Sequence, residues 1–120
     1  MSQIKVEFVC LGNICRSPMA EAVFRHMVNA RGYSDKIVID SSGTGDWHIG
    51  RPPHEGTRRI LDTNHISYEG MVARQFTEQD FENFDYIVCM DSNNLRDVHA
   101  LPGSDQHSKV IRFMDLLPDE

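Results

Sequence analysis

The chain has 120 residues, a formal net charge of −6 and three cysteines. This length suits one domain, residues 1–120, with room for a core that needs no disulfide staples, and the acidic balance argues against a nucleic-acid surface. There is no apolar run of about 18 residues, and "MSQIKVEF" lacks a basic region followed by an apolar stretch; neither a membrane span nor a signal peptide is therefore expected, a cytoplasmic location is, and the odd cysteine count reads as reduced thiols.

Taken in chain order, "IKVEFVC" (4–10) reads as a first strand that ends on Cys10. "LGNIC" then turns the chain, and a helix follows over 18–31, with Ser17-Pro18 as cap and first-turn proline and Glu21 in the first turn. Ala22, Val23, Met27 and Ala30 fall at helical spacing and are expected to face a sheet. A second strand, "KIVIDSS" (36–42), precedes a helix over 55–64 and a short turn over 77–81. "FDYIVCM" (84–90), a helix over 93–100 and "KVIRFM" (109–114) complete the series. Strands that are nearly continuous in apolar residues, alternating with amphipathic helices, predict an α/β doubly wound parallel sheet, with ligands at the carboxyl ends of its strands.

The junction after the first strand is chemically the most pointed feature. Backbone N–H groups of a glycine-containing loop can converge on one point, and a helix N-terminus adds positive potential there, which makes an anion cradle. A cysteine at its edge is expected as a thiolate. Arg16 supplies a planar fork matched to two phosphoryl oxygens. A cysteine closing a buried strand is by itself usually core filling. Cys-x5-Arg-Ser at a strand-to-helix turn is more specific, and it fits neither the GxxxxGK[ST] nor the GxGxxG phosphate loop. The five-residue step from Cys10 to Cys15 and the scattered histidines give no metal-ligand pattern, so no metal or cofactor is expected.

Three segments, "FVCLGNICRSPMAEAVFR", "DSSGTGDWHIGRPPHEG" and "VARQFTEQDFENFDYIVCMDSNNLRDV", resemble in order those of the low-molecular-weight protein tyrosine phosphatase family, and the resemblance spans nearly the whole chain. It implies a flavodoxin-like four-stranded parallel sheet of order 2-1-3-4 flanked by helices. It also implies hydrolysis of a phosphotyrosine-containing protein or a small aryl phosphate through a cysteinyl-phosphate. By position, Cys10 would be the nucleophile, Arg16 the phosphate clamp, and the backbone of Leu11, Gly12, Asn13, Ile14, Cys15 and Arg16 the oxygen-binding loop. Ser17 would hydrogen-bond the thiolate and help it leave. Asn13 would hold the loop shape with Ser41, and Ile14 and Trp47 would form the wall beside the substrate ring. Cys15 reads either as inert filling or, by the resemblance, as a redox partner that can form a disulfide with Cys10. Met71 stands where the family often has a histidine supporting the Asn13–Ser41 pair.

The family's general acid is the aspartate of an Asp-Pro-Tyr motif, followed by a last helix that packs on the sheet. Here the sequence reads "DLLPDE", with Asp119 after a proline but Glu120 where a second proline would be needed. The expectation is a chain short of its acid and of that helix, with Asp119 the stand-in candidate and an apolar strip beside the first helix left uncovered. Cys89 reads as core filling; Asp91, at the carboxyl end of the third strand, lies in the region of the site, although capping the following helix explains it as well; Asp46 and His48 read as solvated loop residues, and "TEQDFENFD" as a solvated helix. Other readings share the loop. An arsenate reductase needs two further cysteines where only Cys89 is available; an arginine phosphatase carries threonine at the position of Ile14. A non-enzymatic phosphate-binding domain would keep the cradle and form no covalent intermediate.

Overall fold

The computed structural model describes residues 3–103 and 109–116. Its elements are β1 (Ile4–Cys10), α1 (Arg16–Ala30), β2 (Ile37–Gly43), α2 (Glu55–Thr63), α3 (Asp80–Asn83), β3 (Tyr86–Cys89), α4 (Ser92–His99) and β4 (Val110–Arg112), with a 3-10 turn over Phe113–Leu116. The four strands form one parallel sheet of order β2-β1-β3-β4. The chain leaves β1 at the point where the strand order reverses, the place at which open α/β sheets hold their ligands. Among the described residues no helix is long and apolar enough to cross a membrane.

Alternation along β1 divides the core. Val6 and Phe8 point to the α1 side and pack with Val28, Ile39 and Val88, while Phe8 meets Phe24 edge-on with ring centroids 5.8 Å apart. Val9 points to the other side, where Phe76, Phe81, Phe84, Ile87, Cys89 and Val98 close around it. On the α1 side the apolar surface runs outward into an open groove of about 390 Å³, bordered by Val23, Phe24, Met27, Tyr86, Ile111 and Phe113.

Several boundaries differ from the sequence expectation. Helix α1 starts at Arg16, two residues early, and Cys15 rather than Ser17 is its flanking residue, with no side-chain cap. The Ser17 hydroxyl is instead committed to Cys10, and the early start moves Glu21 out of the first turn, which holds no acid. Val28 and Ala22 are buried on α1, whereas Met27 is 46% exposed and Ala30 is exposed, because the sheet-facing stripe runs one residue round from the one expected. Phe84 and Asp85 precede β3 instead of belonging to it. Phe84 fills the core and the Asp85 carboxylate accepts the Lys5 N–H at 2.8 Å. The expected fourth strand shortens to Val110–Arg112, since the chain coils into the 3-10 turn at Phe113. The acidic segment around α3 is only partly solvated: Asp80 is buried, and its carboxylate accepts the Thr77 N–H at 2.9 Å and pairs with Arg74.

Candidate active site

Cys10 is the last residue of β1, almost wholly buried, and three hydrogen bonds explain how its thiol is held. Its Sγ lies 2.9 Å from Ser17 Oγ and accepts the Asn13 N–H at 3.2 Å. The Asn13 side-chain amide then donates to Ser17 Oγ at 2.8 Å. Asn13 can reach both because its backbone is left-handed, with φ of 56°, a conformation that an asparagine tolerates better than a branched residue.

The loop is pinned from outside as well. Asn13 Nδ2 donates to Ser41 Oγ at 2.9 Å, and Asn13 Oδ1 accepts the Arg74 N–H at 2.9 Å. Ser41 passes the chain on by donating to Glu21 Oε1 at 2.6 Å, and Glu21 is in turn paired with Arg25. This buried carboxylate supports Ser41, while Met71 lines a small void beside Asn13 and Ser41 together with Pro53 and Val72. The carbonyl of Ile14 accepts the His54 N–H at 2.6 Å, and that of Cys15 accepts the Thr57 hydroxyl at 3.4 Å. His54 also caps α2 through Nδ1, which accepts the Gly56 N–H at 3.1 Å. Gly43, at the end of β2, lies so close under the loop that a Cβ there would stand 2.8 Å from the Leu11 carbonyl oxygen and 2.9 Å from the Asn13 nitrogen. Only glycine allows that approach.

At the thiol is a depression of about 270 Å³ lined by Cys10, Leu11, Gly12, Ile14, Cys15, Arg16, Trp47 and His48. The uncapped first turn of α1 points its free N–H groups and positive dipole end toward this depression, with no acid in that turn to offset them. Trp47 is 66% exposed and lies over Gly45, forming one wall. A second depression of about 370 Å³ shares Leu11 and Trp47 and reaches Phe76, Asp97 and Leu101. Arg16 extends to the rim, where Nη1 donates to Asp91 Oδ2 at 2.7 Å. Asp91 also caps α4, its Oδ1 accepting the Asn94 N–H at 2.8 Å. That backbone bond first, and Arg16 beside it, hold the Asp91 carboxyl below its ordinary range.

The residues named from the sequence thus lie together: Cys10, the 11–16 loop, Ser17, Ser41 and Trp47 share one end of the sheet. Cys15 is exposed at the pocket, which does not fit a role as filling behind the loop, and all three cysteines are free thiols here. Cys89 is fully buried, and burial pushes its thiol up to about 12, with Glu7 adding to the shift. Asp119 lies outside the described residues. His48, expected as a solvated loop residue, packs against Gly12 and lines the pocket, whereas Asp46 is exposed. Asp91, Glu21 and Arg74 are further members of the site region. Asp91 had a visible signal, an acid at the carboxyl end of a strand; nothing local marked the other two.

A cysteine-bearing loop between a central parallel strand and a helix N-terminus, with a guanidinium at its rim, is the arrangement of cysteine-dependent phosphate-ester enzyme folds. The model of the family described as low molecular weight phosphotyrosine protein phosphatase matches residues 5–120, and the chain belongs to that family. It is 52% identical over 116 residues to low molecular weight protein-tyrosine-phosphatase YfkJ of Bacillus subtilis, an alignment covering 97% of this chain and 74% of that protein. Identity to the low molecular weight protein-tyrosine-phosphatase PtpA of Staphylococcus epidermidis is 54% over 115 residues, covering 94% and 73%. The crystal structure of the Bacillus subtilis YfkJ protein superposes with a TM-score of 0.97 at 51% identity, over all of this chain and 76% of that one.

Proposed function

We propose that this chain hydrolyses phosphotyrosine and related aryl phosphate monoesters through a cysteinyl-phosphate on Cys10. The observation that carries this reading is the placement of Cys10 Sγ within hydrogen-bonding distance of both the Ser17 hydroxyl and the Asn13 N–H, at the mouth of an uncapped helix. In the first step the thiolate attacks phosphorus in line with the departing aryl oxygen. The S–P bond forms, the P–O bond to the ring breaks, and the phenolate leaves with a proton from an acid or from solvent. In the second step water attacks the phosphorus, the S–P bond breaks, and inorganic phosphate departs. Ser17 donates to the sulfur as it regains its charge, which makes Cys10 a better leaving group.

Arg16 acts on the transferred group. Exchanging Asp91 for two equatorial phosphoryl oxygens places its fork on the charge that is spread over them at the transition state. Asp91 keeps the guanidinium at the rim between turnovers. Ile14 and Trp47 would flank the phenyl ring, and ring stacking of this kind contributes about 0.5–1.5 kcal/mol. The branched apolar side chain of Ile14 in the pocket wall favours an aryl ester over a guanidinium phosphate. The test is paired turnover of a phosphotyrosyl and a phosphoarginyl peptide, with orthovanadate as inhibitor. The reading requires vanadate-sensitive release of phosphate from the first; release only from the second would move this chain to the other substrate class.

A further inference from the structure

One buried charged group plays no part in the mechanism above. Glu7 stands in the middle of β1, fully buried, on the face opposite α1, and its Oε2 pairs with the Arg74 guanidinium. Its carboxyl also neighbours the buried Ser42 hydroxyl, which acts on it as a side-chain hydrogen-bond partner. Two more carboxylates converge on the same guanidinium: Arg74 Nε donates to Asp40 Oδ2 and Nη1 to Asp80 Oδ2, both at 3.1 Å. The three acids come from β1, β2 and the start of α3, so Arg74 ties three elements together.

The Arg74 peptide points the other way, into the site. Its N–H donates to Asn13 Oδ1 at 2.9 Å, and its carbonyl accepts the Gly43 N–H at 2.9 Å. Gly43 is the residue on which the loop backbone rests, and Asn13 is the left-handed residue whose N–H and side chain both serve the Cys10–Ser17 pair. Residue 74 belongs to no regular strand; an isolated bridge from Gly43 to Gln75 is the nearest ladder contact. Backbone hydrogen bonds hold the residues on either side, Ala73 N–H to the Arg51 carbonyl at 2.8 Å and Phe76 N–H to the Gly43 carbonyl at 2.7 Å, and the side chain, clamped by its three acids, anchors the residue between them.

We infer that Arg74 is a positioning residue for the phosphate-binding loop: its guanidinium, held by Glu7, Asp40 and Asp80, sets the 74 peptide that orients Asn13, and through Asn13 the hydrogen bonds to the Cys10 sulfur. Arg74 touches neither sulfur nor phosphate. A fork with donors aimed at three separate carboxylates cannot be replaced by a lysine, which brings one point of charge. Loosening the clamp lets Asn13 relax from its left-handed conformation, and the sulfur loses the Asn13 N–H directly and a well-aligned Ser17 hydroxyl indirectly.

This inference rests on the reading of Cys10 as the nucleophile, and the experiment separates the two. The probes are iodoacetate, scored at mildly acidic pH as the alkylation rate of Cys10 relative to Cys15 in the same molecule, and inorganic phosphate, scored by the concentration that protects Cys10. In Arg74→Lys the rate ratio is expected to fall, and the protecting phosphate concentration to rise, each roughly 3- to 10-fold, the scale of one or two weakened hydrogen bonds. Arg59→Lys, on the exposed face of α2, leaves both unchanged. In an Asn13→Ala background the added Arg74→Lys has no further effect, since the two share one route. A merely structural Arg74 would lower the thermal midpoint while the ratio and the phosphate concentration stayed at the unsubstituted values in folded protein, which overturns the inference. So does an undiminished effect of Arg74→Lys in the Asn13→Ala background. Should Arg74→Lys fail to fold, Asp80→Asn, which keeps the arginine and weakens its clamp, must shift both readouts in the same direction, and no shift overturns the proposal. Equal labelling of all three cysteines in the unsubstituted chain defeats the Cys10 reading itself.

Discussion

The two faces of the sheet solve the same problem with different materials. Under α1 the packing around Val6, Phe8, Ile39 and Val88 is apolar and opens outward into an apolar groove, and polar groups are buried at the loop end, where Glu21 meets Ser41. On the other face an apolar cluster surrounds Val9, but beside it Glu7 brings a carboxylate into the interior, where Arg74, Asp40 and Asp80 meet it. Apolar packing is non-directional and tolerates rearrangement, whereas a buried charge cluster is costly unless each partner is in place. Each face reaches Asn13 at the loop end, the α1 face through Ser41 and Glu21 and the other through the peptide of Arg74. The contrast suggests a division of labour: the apolar packing supplies stability, and the buried polar clusters at Glu21 and at Arg74 supply position.

Substitutions can break that division, beginning with the largest expected effect. Cys10→Ser is expected to lower turnover of p-nitrophenyl phosphate by at least about 10⁴-fold, the scale on which loss of a nucleophile acts, while phosphate binding stays measurable by calorimetry. Arg16→Lys should cost about 10²- to 10³-fold in turnover with the thermal midpoint nearly unchanged, because the side chain is half exposed and its loss removes transition-state contacts only. Phe8→Ala should do the reverse: about 3–5 kcal/mol of unfolding free energy lost in a urea titration, with turnover per folded molecule preserved. A comparable loss of turnover in the folded Phe8→Ala protein would show that the apolar packing positions the loop as well.

The smallest effect sharpens the comparison through pH. Burial first, then the Asp80 carboxylate, raises Glu7 from 4.5 to about 8, with Arg74 opposing. A carboxyl raised on folding contributes stability that is fully present below its unfolded value of 4.5 and is lost as pH climbs through about 8. Denaturant titrations across that window should therefore show the unsubstituted protein losing ground to Glu7→Gln as pH rises. Parallel curves would mean that Glu7 does not titrate there, and that its pairing with Arg74 holds it ionised.

The strands and the placement of the loop were legible in the sequence because both depend on local pattern, apolar runs and the Cys-x5-Arg-Ser spacing, whereas the sheet order is non-local and came through the family resemblance alone. Ser17 was legible as a thiolate partner through that resemblance, but not as a residue inside the helix, because Ser-Pro is also the ordinary signature of a helix start. Glu7 carried a signal, an acid inside an otherwise apolar strand, yet its partner lies 67 residues away and no local pattern could name it. Glu21 was hidden for the opposite reason. An acid near a helix start has a sufficient explanation in the helix dipole, and only the tertiary fold shows it reaching across to Ser41 at 2.6 Å. His48 was assigned to solvent as a loop residue, and the absence of a side chain at Gly12 is what lets its ring fold down onto the phosphate-binding loop.

The most direct measurement is acid quench of the chain during turnover of an aryl phosphate, followed by peptide mass mapping. The account predicts one added phosphoryl group on the peptide containing Cys10, absent in Cys10→Ser, lost by hydrolysis once the substrate is exhausted and never found on Cys15 or Cys89. Phosphate release without any phosphoryl-Cys10, or with the label on another residue, would contradict it.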